Sequence, residues 1–473
     1  MTKPPAAVNE SKDEPTLKRV MGPWLLLLFI VGDILGTGIY ALTGQVANDV
    51  GGVVWLPFLV AFVVALITAF SYLELVTKYP QAAGAALYTH KAFGIQFFTF
   101  MVTFAVMCSG ITSAATASRA FAANFAEAFD LDVRTGIGIT LIGIVFMIAV
   151  AAVNFRGVGE SVKLNVLLTC IELSGLLIII FIGMWALGIG EGDFSRAATF
   201  DTGDRSALGG VIAATTLAFY AMVGFEDSVN MAEECKEPSR IFPKVLLIGL
   251  VSTGIIYVLV SVTAIALVPA NELGEGDTPL LKVVQAGAPG FPIGIFAFIT
   301  MFAVANSALI NMLMASRLLY GMSRQHVLPP QLGRVHRTRR TPYIAIGFTT
   351  LLALGLITIV GEVPQLGGTT ALLLLCVFTV VNIAVLVLRK DTVDHKHFRA
   401  PTVLPIIGAI SCAFLATPLT DRDPAQYKIA GVLLAIGVVL WVVNNLANKK
   451  LGVKAELHPE FLGEEGVPPG PMN

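Results

Sequence analysis

Twelve long apolar stretches constrain this chain more than any other feature of its sequence. A helix of roughly 20 apolar residues crosses a bilayer core about 30 Å thick, and each stretch reaches about that length. Lipid offers the backbone no hydrogen bonds, so continuous apolar runs predict helices, whereas a β-barrel would alternate apolar and polar residues. We therefore predict an all-α membrane protein with twelve transmembrane helices. Only Asp33 and Glu172 bring charge into the stretches, which run 20–48, 50–73, 92–118, 135–155, 164–190, 206–225, 245–271, 283–316, 343–361, 363–388, 400–420 and 429–448.

The composition supports a membrane protein and disfavours soluble classes. Of the 473 residues, 55% are hydrophobic and 13% are charged, against about 25% charged residues in soluble domains. The formal net charge of −1 gives no basic surface for nucleic acid. The five cysteines form no CxxC pair, which disfavours a disulfide framework or a cysteine metal site. We expect no cofactor, no metal and no nucleic-acid partner.

Lysine and arginine predict the orientation of the helices. If the N-terminus is placed inside and the spans alternate, most of the 31 lysine and arginine residues lie on the inside, including the basic run at 324–340. Basic loops stay on the cytoplasmic side of membrane proteins. The pattern predicts a multi-pass protein of the cell membrane with both termini in the cytoplasm.

Two spans are interrupted at positions that correspond between the halves of the chain. Residues 32–40 read GDILGTGIY in span one, and residues 219–228 read FYAMVGFEDS in span six. Discontinuous helices at matching places in two halves indicate a transporter binding site, because unwound backbone exposes N–H and C=O groups. Gly32 and Gly36 also form a GxxxG pair that could serve helix packing alone. The closely spaced Gly36 and Gly38, together with the matched break, favour an interrupted helix.

These interruptions resemble those of the amino acid–polyamine–organocation (APC) transporter family. Gly32–Gly44 is similar to the family's helix 1, and Phe219–Glu234 is similar to its helix 6. Residues 79–88 resemble its first cytoplasmic loop, and residues 277–280 resemble an external loop before helix 8. The resemblance extends over about 20–448. It implies a leucine-transporter-type fold with a 5+5 inverted repeat, discontinuous helices 1 and 6, and two extra C-terminal helices.

The resemblance also implies the organisation of the chain and its activity. Such proteins carry amino acids or related amines by alternating access. The expected segments are a cytoplasmic tail at 1–19, a first repeat at 20–190, a second repeat at 206–390, helices 11 and 12 at 400–448, and a cytoplasmic tail at 449–473.

The family's substrate site maps onto the two interruptions. The resemblance implies that the N–H groups of Gly36, Thr37 and Gly38 receive the substrate carboxylate. The positive end of the second half-helix, which begins there, independently favours an anion. The resemblance places the substrate ammonium against carbonyl groups near Ile34 and in the segment that contains Phe219, Tyr220 and Met222.

Several side chains are candidates for the wall of that site. Tyr220 matches the family's gating aromatic in helix 6, although it could also be an ordinary packing tyrosine. Ser113, together with Ser109 and Ser307, could offer hydroxyl groups to the substrate. Serines in membrane helices often bond the helix backbone instead, so both interpretations stay open.

Four acidic residues in or beside the apolar spans are the most informative. A charge at the membrane centre costs at least about 2.5–3.5 kcal/mol, so such residues are seldom incidental. We hypothesise that Asp33, Glu172 or Glu226 carries a coupling proton. The alternatives are a structural hydrogen bond from a neutral acid, or attraction of a cationic substrate by Asp33, Glu226 and Asp227. Glu226 also matches an acidic position used near the substrate site in some family members, and Glu172 stands where many members carry a lysine. The coupling mechanism based on that lysine therefore cannot be transferred to this chain.

The sequence favours protons over sodium as the coupling ion. No concentrated Ser/Thr pair surrounds 303–307 to complete an oxygen cage, although Glu172 could still supply an oxygen. We expect a secondary active transporter of an amino acid, with a polyamine or other organic-cation permease or antiporter as the alternative. A membrane-embedded enzyme or a channel is more remote, because the six histidines, including His395 and His397, fall in loops or tails. A monomer and a homodimer both remain open.

Overall fold

The fold consists of helices joined by short connections. The computed structural model describes residues 22–80, 84–131, 136–156, 162–235, 237–339 and 341–451. The predicted tail 1–19, most of the tail 449–473 and residues 81–83 of the predicted first loop lie outside these ranges. The helices are α1 Pro23–Ile34, α2 Thr37–Val50, α3 Trp55–Lys78, α4 Gly84–Phe93, α5 Gln96–Ala128, α6 Ile137–Arg156, α7 Val162–Ile189, α8 Ala207–Ala218, α9 Pro238–Leu267, α10 Ala270–Leu273, α11 Pro279–Gly287, α12 Ile293–Arg324, α13 Tyr343–Ile359, α14 Val363–Leu388, α15 Val403–Leu415 and α16 Pro424–Leu451.

Ten helical segments of the described chain are long and apolar enough to cross a membrane. Two further apolar helices, α13 and α15, occupy the places of predicted spans nine and eleven but are shorter. α13 ends just before Gly361, which has a left-handed backbone (φ 68°). α15 lies between Pro401 and Pro418, and proline disfavours helical backbone in the residue before it. The ranges that the structure describes contain no β-strand, and an isolated antiparallel bridge joins Gly51 to Phe200.

Both interrupted spans are broken in the structure. α1 ends at Ile34 and α2 begins at Thr37, so the intervening residues leave the helix. α8 ends at Ala218 and continues as a 3-10 helix over Phe219–Met222. The backbone then turns at Gly224, whose φ of 121° is readily adopted only by glycine. A second 3-10 helix follows over Asp227–Glu234. Both helices therefore end within two residues of a predicted glycine-containing segment or inside it.

The broken helices lie inside the bundle. α5 packs most extensively against α12 and α14, while α1 packs against α7 and α9 and α2 packs against α8. Ile34, Leu35 and Phe219 are almost wholly buried. Irregular backbone at membrane depth is tolerated where protein surrounds it, and this packing meets that requirement.

A buried ion pair joins the ends of α3 and α14. Arg389 donates two hydrogen bonds to the Glu74 carboxylate, at 2.9 and 2.7 Å, and both side chains are nearly shielded from solvent. The Ala400 backbone N–H also donates to Glu74, at 2.9 Å. Nearby, Lys78 donates to the Leu388 carbonyl at 2.6 Å. Together these contacts fix the loop after α14 against the end of α3.

A second buried cation connects the last two helices to the rest of the bundle. Arg422, between α15 and α16, donates to the Gly368 carbonyl of α14 at 2.8 Å and to the Gln426 side chain at 2.7 Å. It also donates to the carbonyl groups of Leu415 and Thr216, at 3.2 and 3.4 Å. Burial lowers the pKa of Arg422 to about 10, so the guanidinium stays charged at neutral pH. Arg422 thus holds α8, α14 and α15 together through carbonyl groups.

We predict that Glu74→Gln destabilises the protein by about 3 kcal/mol, because removing one partner of a buried ion pair leaves the other charge uncompensated. Glu275→Gln is the matched control, since Glu275 lies 4.0 Å from Lys282 and its side chain is 78% exposed. Thermal unfolding in detergent measures both. Equal unfolding midpoints for the two variants would contradict a stabilising role for the Glu74–Arg389 pair.

Candidate functional site

The two helix breaks lie against each other. A Cβ atom at Gly38, at the start of α2, would overlap the backbone of Ala221 in the 3-10 helix after α8. A Cβ atom at Gly224 would lie 2.6 Å from the carbonyl oxygen of Asp33, in the last turn of α1. Glycine at both positions lets the two unwound segments meet in the interior. The structure therefore places the two sequence motifs side by side, as one site.

The start of α2 offers unpaired polar groups to this site. No side chain of the described chain caps the helix at Gly36, and the first N–H groups of a helix have no partner within it. The Thr37 hydroxyl is buried, makes no hydrogen bond of ordinary length to the described residues, and interacts at longer range with the Tyr220 hydroxyl of the second break. The Ser307 hydroxyl of α12 lies so close to Gly36 that a Cβ atom there would overlap it. N–H groups, a hydroxyl and the positive end of a helix together suit a carboxylate.

Two carbonyl groups near the α1 break accept hydrogen bonds from tyrosine side chains. The Tyr257 hydroxyl of α9 donates to the Ile34 carbonyl at 2.5 Å. The Tyr40 hydroxyl of α2 donates to the Glu172 carbonyl of α7 at 2.6 Å. Tyr257 was not among the predicted site residues, and its only signal is a polar group in the middle of an apolar span. One lone pair of the Ile34 carbonyl is thus engaged, and a carbonyl oxygen can accept a second hydrogen bond.

Tyr220 and Ser113 meet across the site. Their hydroxyl oxygens are 3.1 Å apart and both residues are buried. Ser109 instead donates to the Val106 carbonyl of its own helix, at 2.7 Å. Phe219 is fully buried and packs edge-on against Phe378, with ring centroids 6.0 Å apart. Met222, also predicted for the site, is fully buried.

Buried acidic groups surround the α1 break. Both carboxylate oxygens of Glu172 and one of Asp33 have no hydrogen-bond partner, and neither does the neighbouring Thr169 hydroxyl. Glu226 accepts a hydrogen bond from the Gly224 N–H at 2.9 Å. Asp33 interacts electrostatically with Glu226, Glu172 and Asp227. Buried polar atoms are normally paired, so this group of unpaired carboxylate oxygens needs a functional explanation.

A cavity leads from the acidic residues toward the α4 end of the bundle. Its lining includes Glu226 and Asp227 from the second break and residues of five helices. Three polar residues that sequence reasoning missed face it from α3, α12 and α14, namely Tyr72, Asn311 and Thr370. The Tyr72 hydroxyl is buried without a partner. The cavity therefore combines acceptor and donor groups with an apolar wall.

The bundle is closed at the opposite end. Gln45 and Asn48 of α2 both donate to the Gly274 carbonyl between α10 and α11, each at 3.2 Å. In the same loop, burial raises the pKa of Asp277, while the positive charge of Arg119 opposes this rise and the negative charge of Glu362 adds to it. The loop after α9 thus covers the end of α2.

The histidines form no metal site within the residues that the structure describes. The His395 Nε2 atom lies 3.1 Å from the Thr77 carbonyl, and the rings of His395 and His397 are 6.4 Å apart. No group of three or more histidine, cysteine or acidic residues in this part of the chain is arranged to hold a metal ion.

The family model for amino acid permeases matches residues 21–443. The chain belongs to the amino acid permease family. The match covers both breaks and all helices except the last turns of α16, which agrees with the predicted APC resemblance. The permease is therefore a multi-pass membrane protein of a transporter family.

Curated relatives of the permease are transporters over nearly its whole length. It is 26% identical to the branched-chain amino acid permease BcaP of Bacillus subtilis (strain 168), across 94% of this chain and 97% of the relative. It is also 26% identical to the methylthioribose transporter of the same strain, across 93% and 94%. Cationic amino acid transporter 1 of Arabidopsis thaliana is 26% identical, across 98% of this chain and 78% of that protein.

We predict that Gly38→Ala destabilises the permease by about 1–3 kcal/mol, because the new methyl group must displace the Ala221 backbone. The control is Gly347→Ala in α13, where a Cβ atom would have no neighbour within 4 Å and alanine favours the helix. Thermal unfolding in detergent compares the two. If Gly38→Ala unfolds at the same temperature as wild type, the breaks are less tightly packed than the structure shows.

Proposed function

We propose that the permease moves an amino acid across the cell membrane by alternating access, as a proton-coupled secondary transporter. The observation that carries this proposal is the start of α2, where unpaired N–H groups and the buried Thr37 hydroxyl face the second break. The α-carboxylate would bind there, at Gly36, Thr37 and Gly38. The α-ammonium would bind the free lone pair at Ile34 and the carbonyl groups of Phe219–Met222. Such a site recognises the α-carboxylate and α-ammonium groups, which all amino acids share.

The asymmetry of the bundle supports alternating access. The cavity reaches Glu226 from the α4 end, whereas the α10–α11 loop covers α2 at the other end. Tyr220, bonded to Ser113, lies next to Gly367 of α14, where it could gate the site. This arrangement fits a transporter open to one side of the membrane.

The order of the helices fits an inverted repeat of five plus five spans, with α1–α2 and α8 as the first helix of each half. In this topology α13 and α15 complete twelve spans despite their length. The distribution of basic residues supports a cytoplasmic location for both termini and for the α4 end. The functional unit would then be a monomer or a homodimer.

Proton coupling follows from the acidic residues near the α1 break. A buried carboxylate without a cationic partner is costly as an anion, so a proton is its simplest counter-charge. Glu172 of α7 and Asp33 in the last turn of α1 both have unpaired oxygens, and they interact electrostatically next to the first break. Glu226 is bonded to Gly224 at the second break. Protonation at any of them would alter the segment that binds substrate.

We predict that Asp33→Asn or Glu172→Gln abolishes accumulation driven by a proton gradient while exchange of labelled for unlabelled substrate persists. Removal of the proton carrier uncouples transport without removing the substrate site. Proteoliposome uptake with and without an inward proton gradient measures this, and Glu191→Gln, an exposed carboxylate, is the control. If both variants still accumulate substrate, protons are not carried by these residues. Uptake that depends on a sodium gradient would contradict proton coupling altogether.

A cationic substrate is the second candidate. Glu226 and Asp227 line the cavity, and neither forms an ion pair with a lysine or arginine in the described part of the chain. Negative charge in a cavity of low dielectric favours basic amino acids or polyamines. The similarity to a cationic amino acid transporter is consistent with this candidate, and the similarity to a branched-chain permease is consistent with a neutral one.

Uptake of labelled neutral amino acids, basic amino acids and polyamines into proteoliposomes decides between the two candidates. If the substrate is cationic, we expect Asp227→Asn to reduce uptake of basic substrates about tenfold more than that of neutral ones, since one charge pair is lost. Equal loss for neutral and basic substrates would exclude charge recognition by Asp227. No uptake of any of these compounds would contradict the proposed function.

A further inference from the structure

A groove between the first turns of α1 and α9 is separate from the substrate cavity. Its lining comes from Pro23, Trp24 and Leu27 of α1 and from the Glu237–Ile248 region of α9. The two helices are in close contact farther along, where a Cβ atom at Gly249 would lie 2.9 Å from the Ile30 side chain. The groove lies between that contact and the N-terminal ends of the two helices.

One face of α9 changes from cationic to apolar along its length. Arg240 and Lys244 come first, and Ile248, Val251 and Ile255 follow at helical spacing. These three apolar side chains are 55%, 40% and 56% exposed. The face extends about 22 Å at 1.5 Å per residue, which is comparable to a lipid acyl chain with its headgroup. A phospholipid has the same order of features, with a polar end followed by a hydrocarbon chain.

The charges at the wide end of the groove favour an anionic headgroup. Glu237 pairs with Arg240 at 3.5 Å, but no carboxylate of the described residues forms an ion pair with Lys244. The positive end of the α9 dipole lies at the same place. Trp24 is 76% exposed at the start of α1, where an indole ring suits the interface between headgroups and hydrocarbon.

We propose that this groove binds an anionic phospholipid, with its phosphate at Arg240 and Lys244 and one acyl chain along Ile248, Val251 and Ile255. Trp24 covers the glycerol region from the α1 side. Because α1 leads directly to the first helix break, the lipid contacts the segment that carries one half of the proposed site. The proposal concerns lipid binding alone and does not depend on the substrate.

Fluorescence of Trp24 tests the proposal in proteoliposomes of phosphatidylcholine and phosphatidylglycerol. The chain has four tryptophans, so the Trp24 signal is the difference between wild type and Trp24→Phe. Bromine atoms are placed on the acyl chains of one lipid at a time, at equal total composition. We expect the quenching to show that phosphatidylglycerol is enriched about fivefold over phosphatidylcholine next to Trp24. This ratio corresponds to the attraction of one interfacial cation for an anionic lipid.

Two double variants test whether the groove causes the enrichment of phosphatidylglycerol next to Trp24. Arg240→Gln/Lys244→Gln should remove the enrichment, while Lys449→Gln/Lys450→Gln, exposed at the end of α16, should leave it unchanged. Added phosphatidylglycerol should also raise the unfolding temperature of wild type and of the α16 variant, but not that of the groove variant. Equal quenching by the two lipids would overturn the proposal. The same loss in both double variants would overturn it too, because general surface charge would then explain the enrichment.

Discussion

Backbone hydrogen bonding inside the membrane is the constraint on which this structure depends. Each helix break frees N–H and C=O groups at a depth where water does not satisfy them, and each unpaired group is costly. The surrounding helices provide partners for some of them, as Tyr257 does for Ile34 and Glu226 does for Gly224. The first N–H groups of α2 receive no side-chain cap from the described residues. The start of α2, beside the second break, therefore presents backbone donors that no side chain of the described residues caps.

The residues at which the two helix breaks pack closely also bring the buried acidic groups together. Gly38 and Gly224 allow the two breaks to touch, because any side chain there would meet backbone atoms. The same contact keeps Asp33 next to Glu226 and Asp227, although like charges repel. Burial and the repulsion between like charges both disfavour a state in which all of these carboxylates are ionised.

The sequence predicted the helices and their breaks well because length, apolarity and glycine are local properties. The break after Ile34 falls within its motif, and α8 ends at Ala218, directly before the segment 219–228 that predicted the second break. The facing of side chains was not predictable, since uniformly apolar helices have no polar side to indicate it. Asn311 and Thr370 of the cavity were missed for this reason. Tyr257 was missed because its partner Ile34 is 223 positions away.

Arg422 gives the last two helices a role that their position outside the ten-helix core does not suggest. Its guanidinium bonds the Thr216 carbonyl near the end of α8 and the Gly368 carbonyl of α14, next to the glycine that Tyr220 contacts. A shortened chain that stopped after α14 would lose this cation and leave two carbonyl oxygens of the core without their donor. The hairpin of α15 and α16 therefore braces α8 against α14, and a chain cut after Leu388 would keep those two helices but lose the guanidinium that joins them.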